Sequence, residues 1–200
     1  MRKAIIHLKR KDPTLRSIIE RVGPYRVEFH EPTFATLVRS IVYQQLSGRV
    51  AKVIYERLVK AARGEVNPKN ILRLTPEKLR EIGLSKQKSA YIVDLATLTR
   101  AGKVVFETLE SLSDEAVIEH LTAVKGIGVW TAHMFLIFAL RRADILPTGD
   151  LGVRMAIRKA YELPELPKPA EIEAIGKPWR PYSSVAAWYL WRSLDNEAAL

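Results

Sequence analysis

Leu121-Thr122-Ala123-Val124-Lys125-Gly126-Ile127-Gly128, running straight on into Val129-Trp130-Thr131-Ala132-His133-Met134-Phe135-Leu136-Ile137-Phe138-Ala139-Leu140, is the stretch that decides the fold. Its second half is apolar on every side, and in a globular chain a helix without a polar face belongs at the centre. The spacing therefore predicts a buried helix over 128–140 with the remaining elements packed around it. Its first half ends an amphipathic helix over 116–124 and turns through two glycines, which tolerate positive φ and close backbone approach. Such a hairpin offers the amide N–H groups of Gly126, Ile127 and Gly128 to an anion, with the Lys125 charge beside them. The same glycines serve equally well as a tight turn between helices and nothing more.

Working outward, a small polar residue followed by Pro marks helix starts at Asp12-Pro13, Asn67-Pro68 and Thr75-Pro76. Apolar residues near a 3.6 period follow: Leu15 to Val22, Phe34 to Val42, Val50 to Leu58 and Leu72 to Ile82, the last stopped by Gly83. The pattern continues over 90–98, 151–161 and 184–194. Only Tyr25 to His30 alternates like a strand, and one strand among about ten helices indicates an all-α class. No Ser/Gly linker, charge block or repeat divides the chain.

The composition narrows the chemistry. With no Cys among 200 residues there is no thiolate nucleophile, Cys-ligated zinc or iron–sulfur cluster. His7, His30, His120 and His133 are scattered without ligand spacing, which argues against a zinc enzyme. A dinucleotide-binding loop also fails, because Thr131 stands at the third glycine position and a helix precedes the turn. The formal charge of +10 points to a polyanionic partner, and nucleic acid is the first choice. The longest uncharged apolar run, Met134 to Leu140, is far short of the ~20 residues that span a bilayer. The N-terminus has no uninterrupted apolar segment of a secretory signal, so the expected location is cytoplasmic, at the nucleoid.

Beyond the hairpin, Asp150 follows Pro147-Thr148-Gly149 and opens the next helix. It reads as an N-cap. The same position keeps a carboxylate ionised, as a base or a stabiliser of a cation requires. Trp130 reads as core or as a pocket wall that stacks on a cationic base.

Taken together, Leu37 to Ser47 with its Gln44-Gln45 pair, Gly83-Leu84-Ser85 with Lys88, Gly126 to Ala132, Gly149-Asp150-Leu151-Gly152 and Trp179-Arg180-Pro181-Tyr182 resemble 3-methyladenine DNA glycosylase II. That family belongs to the helix-hairpin-helix, Gly/Pro-rich, Asp (HhH-GPD) superfamily. The resemblance covers residues 30–195 and implies a two-lobed all-α fold with a cleft between lobes. On this reading 1–200 is a single glycosylase domain of two helical subdomains. Residues 30–110 carry the wedge loop, 111–165 carry the hairpin and catalytic Asp, and 1–29 with 166–200 complete the other lobe.

The resemblance implies hydrolysis of the N-glycosidic bond of alkylated purines, such as 3-methyladenine and 7-methylguanine, after the nucleotide is flipped from duplex DNA. Asp150 matches the catalytic Asp. Trp130 and Tyr182 match pocket positions, and Gln44 joins them; the Gln pair either reads base edges or satisfies local backbone groups. Leu46, with Ser47 as its neighbour, matches the wedge that fills the vacated stack, although sequence also permits a buried Leu at a helix end. Lys125, Gly126, Ile127 and Gly128 match the DNA-backbone contact. The carbonyls of Thr122, Val124 and Ile127 match positions that hold a structural Na⁺ or K⁺, and catalysis needs no cofactor. Trp130 occupies the position of the Schiff-base Lys of lyase members, which implies a monofunctional enzyme. Ser183 departs from the Arg common after this aromatic, which leaves the lesion range open among alkylated purines, hypoxanthine, ethenoadenine and N1- or N3-methylated bases.

The expected partner is damaged double-stranded DNA, with no membrane and no obligate protein partner, and the expected state is a monomer. Two other readings compete: a non-catalytic helix-hairpin-helix DNA-binding module, and a bifunctional lyase using Lys125.

Overall fold

A computed structural model describes residues 1–195. In chain order the α-helices are α1 (Arg2–Lys11), α2 (Pro13–Val22), α3 (Phe34–Tyr43), α4 (Gly48–Ala61), α5 (Pro68–Ile71), α6 (Pro76–Ile82) and α7 (Lys86–Arg100). They continue with α8 (Asp114–Thr122), α9 (Val129–Phe138), α10 (Leu151–Ala160), α11 (Pro169–Gly176) and α12 (Ser183–Asp195). Short 3-10 turns occupy Phe106–Ser111 and Lys177–Trp179. The fold is all-α, and no helix among the described residues is long and apolar enough to cross a membrane.

Local chemistry sets most boundaries. Asp12, Thr33, Asn67, Thr75, Ser85, Ser113 and Asp150 each accept a hydrogen bond from an amide of the first helical turn that follows. These side chains satisfy donors that the helix cannot. Gly83 ends α6 in the left-handed region at φ +105°.

Four expectations need correction. The helix expected over 72–82 begins only at Pro76, because Thr75 caps α6 and a proline N1 has no N–H to continue a helix from before it; 72–75 lie between α5 and α6. Tyr25 to His30 forms no strand: the amide of His30 donates to Phe138 O at 2.9 Å, but no ladder runs along the segment, and alternation alone cannot supply a partner strand. Helix α1 was not anticipated: its buried face is thin, Ala4 and Leu8, within a run of basic residues. Finally, α9 is buried along Ala132, Phe135, Leu136 and Ile137, yet its first residues Val129 and Trp130 are exposed.

The chain divides into two compact units, His30–Leu140 and Met1–Phe29 with Arg141–Leu200. The first is built on α9. Phe106 packs edge-on between Phe34 and Phe135, with both centroid separations 6.2 Å, and α3 packs on α4 and α7 through fully buried Leu37, Ile41, Ile92 and Leu95. In the second, α12 packs on α2 and α10, and Trp179 and Tyr189 are fully buried. Buried Asp12 ties this unit together: one carboxylate oxygen accepts the amide of Leu15, the other the Trp179 indole at 2.7 Å and the Tyr161 hydroxyl. The hairpin thus belongs to the first unit and Asp150 to the second, whereas the sequence grouped both in 111–165. The boundary falls after α9 because α9 packs on α8, while α10 packs on α12.

Candidate functional site

Helix α3 ends at Tyr43, and its last turn leaves carbonyls without helical partners. Lys88 meets them: its Nζ donates to Val42 O at 2.7 Å and to Gln44 O at 2.6 Å. Desolvation there holds the ammonium pKa below the ordinary lysine value. Gln44 then donates through Nε2 to Gly126 O at 3.1 Å, which fastens the loop after α3 to the hairpin. Gln45 takes the left-handed conformation, φ +55°, and turns the chain so that Leu46 is 38% exposed. Ser47 beside it is exposed and makes no side-chain cap to α4. The buried-leucine alternative for Leu46 therefore does not hold.

The hairpin distinguishes its two glycines. Gly126 sits at φ +80° against the Tyr91 ring, where a Cβ would approach to 2.0 Å. Gly128 has φ −94° and open space around it, so neither its backbone nor its packing demands glycine. The amides are also unequal. The N–H of Lys125 donates to Asp94 Oδ2 at 2.9 Å, and that of Ile127 closes the turn onto Val124 O at 3.1 Å. Ile127, whose side chain is buried, is thus committed inside the turn and is not a donor to a phosphate as expected. The exposed Lys125 ammonium lies 3.9 Å from Asp94 Oδ1. Gly128 opens α9 with no side-chain cap, leaving that helix end suited to an external anion.

Loop and hairpin border a cavity of about 730 Å³ within this unit. Tyr43, Gln44, Tyr91, Trp130 and Met134 supply its aromatic and amphipathic walls, and Arg39 and Lys88 its charge. Trp130 is 49% exposed, so between core and pocket wall the structure places it as wall. Arg39, Tyr43 and Tyr91 were missed as wall residues; each sits on a helix whose periodicity reads only as core versus surface.

Asp150 caps α10 and is 8% exposed. Its Oδ1 accepts two bonds, from Val153 N at 2.8 Å and from the Trp191 indole Nε1 at 2.7 Å. Both donors fix the orientation of the carboxylate at the start of α10. Gly152 makes room for the indole, since a Cβ there would lie 2.9 Å from Trp191 Cδ1. Trp191 positions this carboxylate, a role that nothing in the sequence marks. It lies 41 positions from its partner, beyond any local pattern.

Tyr182 belongs to the other unit. It precedes α12, where its ring meets His7 edge-on at 5.4 Å and its carbonyl accepts the amides of Val185 and Ala186. The N–H and hydroxyl of Ser183 both donate to Asp144 Oδ1, at 3.2 and 2.5 Å. Asp144 also pairs with Arg180 at 3.4 Å.

Thr122 ends α8, and Val124 and Ile127 flank the turn, so the three carbonyls expected to hold a monovalent cation all belong to the hairpin. Val124 O accepts one N–H and a carbonyl has two lone pairs, so the donor set remains compatible with such an ion. Among the described residues no cluster of His, Asp or Glu could hold a metal.

Comparison with known proteins agrees with this geometry. Residues 38–181 match the family described as HhH-GPD superfamily base excision DNA repair protein. The chain is 35% identical over 198 residues to DNA-3-methyladenine glycosylase 1 of Schizosaccharomyces pombe, covering 96% of this chain and 86% of that protein. The solved structure of that yeast's 3-methyladenine DNA glycosylase in complex with abasic DNA superposes with a TM-score of 0.84, covering 95% of each chain. A DNA-3-methyladenine glycosidase from Bacillus halodurans superposes with a TM-score of 0.88 at 36% identity, covering 98% of this chain and 91% of that one.

Proposed function

The chain belongs to the HhH-GPD superfamily of base excision DNA repair proteins, and from that premise we propose that it is a monofunctional glycosylase of the 3-methyladenine DNA glycosylase II type, releasing alkylated purines from duplex DNA. One observation carries the reading: a buried carboxylate, Asp150, held at the start of α10 by two N–H donors on the same oxygen.

A purine methylated at N3 or N7 carries positive charge and leaves readily, so the enzyme has chiefly to favour the cationic sugar that remains. Asp150 does this as a fixed negative charge, oriented without further reorganisation, and takes up the proton of the attacking water. Trp130 and Gln44 border the space for the extruded base, and Leu46, projecting beside it, fills the gap left in the stack. The uncapped start of α9 with Gly126, Gly128 and Lys125 takes the DNA backbone, and the carbonyls of Thr122, Val124 and Ile127 would hold a Na⁺ or K⁺ that stiffens the turn. An indole cannot attack the sugar, so the position of Trp130 supports base release without strand cleavage. Lys125, the one candidate lyase nucleophile, is engaged with Asp94 instead.

The test is chromatography of bases released from methylated duplex DNA, with strand breaks scored before and after alkali. Free 3-methyladenine and 7-methylguanine, with breaks only after alkali, are expected. Binding without any release would indicate the non-catalytic module, and a borohydride-trapped covalent adduct would indicate a lyase.

A further inference from the structure

One face of α7 meets the hairpin. Gln87, Tyr91 and Asp94 stand at i, i+4 and i+7 on that helix. The Gln87 amide donates to the Tyr91 hydroxyl, the Tyr91 ring lies against Gly126, and Asp94 Oδ2 accepts the N–H of Lys125 at 2.9 Å. The other carboxylate oxygen, Oδ1, lies 3.9 Å from the Lys125 ammonium. Asp94 is the less mobile partner of that pair, with its side chain 22% exposed against 76% for the lysine. Holding the amide of Lys125 requires an acceptor but no charge, and an asparagine would serve. A carboxylate does more: it balances Lys125, the one charged side chain of residues 121–128, beside the uncapped start of α9 that suits a phosphate.

Resting on the glycosylase reading, we infer that Asp94 is a positioning residue with a second role: it fixes the hairpin turn and balances the Lys125 charge, so that the hairpin adds register but little net charge to the grip on the DNA backbone. A cation strengthens DNA binding by displacing counterions from a phosphate, and a lysine already paired with a carboxylate displaces fewer. Affinity for undamaged duplex, which outnumbers any lesion, is thereby held down. The phosphate contact itself carries no base information, so the effect is the same on every sequence.

The experiment is fluorescence anisotropy with an undamaged duplex over a range of KCl concentrations, comparing the parent with Asp94→Asn, Lys125→Gln, the double variant and Asp94→Ala. Asp94→Asn keeps an acceptor for the Lys125 amide and removes the charge. It should bind more tightly by roughly five- to tenfold at about 0.1 M salt, with a log–log salt slope steeper by about 0.9. Lys125→Gln in the parent should change that slope by well under half as much, and the double variant should return to the parent slope, which makes the two substitutions non-additive. Asp94→Ala, which also strands the amide, should melt lower and bind more weakly than Asp94→Asn. An Asp94→Asn variant with the parent's slope, or one that binds more weakly than the parent, would reduce Asp94 to a packing role and overturn the inference. A steeper slope that persists in the double variant would trace the effect to net charge at large and overturn it as well. These readings need no base release, so a parent that binds in this way yet frees no base from methylated duplex would defeat the glycosylase reading alone.

Discussion

Asp150 has two separable duties, and two substitutions separate them. In Asp150→Asn the amide oxygen can still accept from Val153 N and Trp191 Nε1, as Oδ1 does at 2.8 and 2.7 Å, so the cap geometry survives. What is lost is the charge at the helix start, worth about 0.3–1 kcal/mol. Asp150→Ala removes the cap, about 1 kcal/mol, and strands the indole N–H, a further 1–3 kcal/mol or so. For a chain of this length those costs correspond to a fall in melting temperature of about 3 °C for Asn and about 10 °C for Ala. Activity should not follow stability: both variants lack the negative charge and should lose roughly 10²–10³ in the rate of base release. The assays are thermal unfolding and single-turnover release from methylated duplex under saturating enzyme. Release by Asp150→Asn within threefold of the parent would refute the catalytic assignment and leave a helix cap. Equal melting temperatures for Asn and Ala would refute the claim that Oδ1 holds the site together.

Three further outcomes are expected. Leu46→Ala removes a side chain that is 38% exposed, so it should change stability by less than about 1 kcal/mol yet weaken binding to abasic duplex more than to intact duplex, as fluorescence anisotropy would show; equal weakening on both would return Leu46 to a packing role. Gly126→Ala drives a Cβ into the Tyr91 ring at a left-handed φ and should cost on the order of 2–4 kcal/mol in chemical denaturation, whereas Gly128→Ala should fold normally and lose affinity alike for all DNA sequences. Burial raises the tyrosine pKa at Tyr25 to about 12, and raises those of Tyr55, Tyr161 and Tyr189 as well. Their contribution is fully present below pH 10.0, the unperturbed value, and is lost as pH climbs through the raised values, because the unfolded chain releases those protons first. An alkaline unfolding transition beginning above pH 10.0 is therefore expected, and Tyr25→Phe should move it upward; a midpoint indifferent to that change would show that Tyr25 is not coupled to folding.

What the sequence determined by itself is local or compositional. Helix starts follow from polar residues placed before proline or before an amphipathic run, since a side chain three positions from an orphan amide is always within reach of it. The all-α class, the hairpin, the attraction to a polyanion and the candidacy of Asp150 all rest on signals of this range. The tertiary structure decided whatever needs distant residues to meet. Only packing shows that Lys88 holds the end of α3 and that Trp191 positions Asp150 across 41 residues. The difference between Gly126 and Gly128 is of the same kind. Both occur in the same Gly-Ile-Gly motif, yet only one has an aromatic ring against its α-carbon. A linear pattern records which groups a residue carries, whereas hydrogen bonds and van der Waals contacts depend on distances that only the folded chain sets. For that reason the contact of Tyr182 with His7, 175 positions away, and the place of Arg39 and Tyr43 in the cavity wall, a role no motif gave them, come from the folded chain alone.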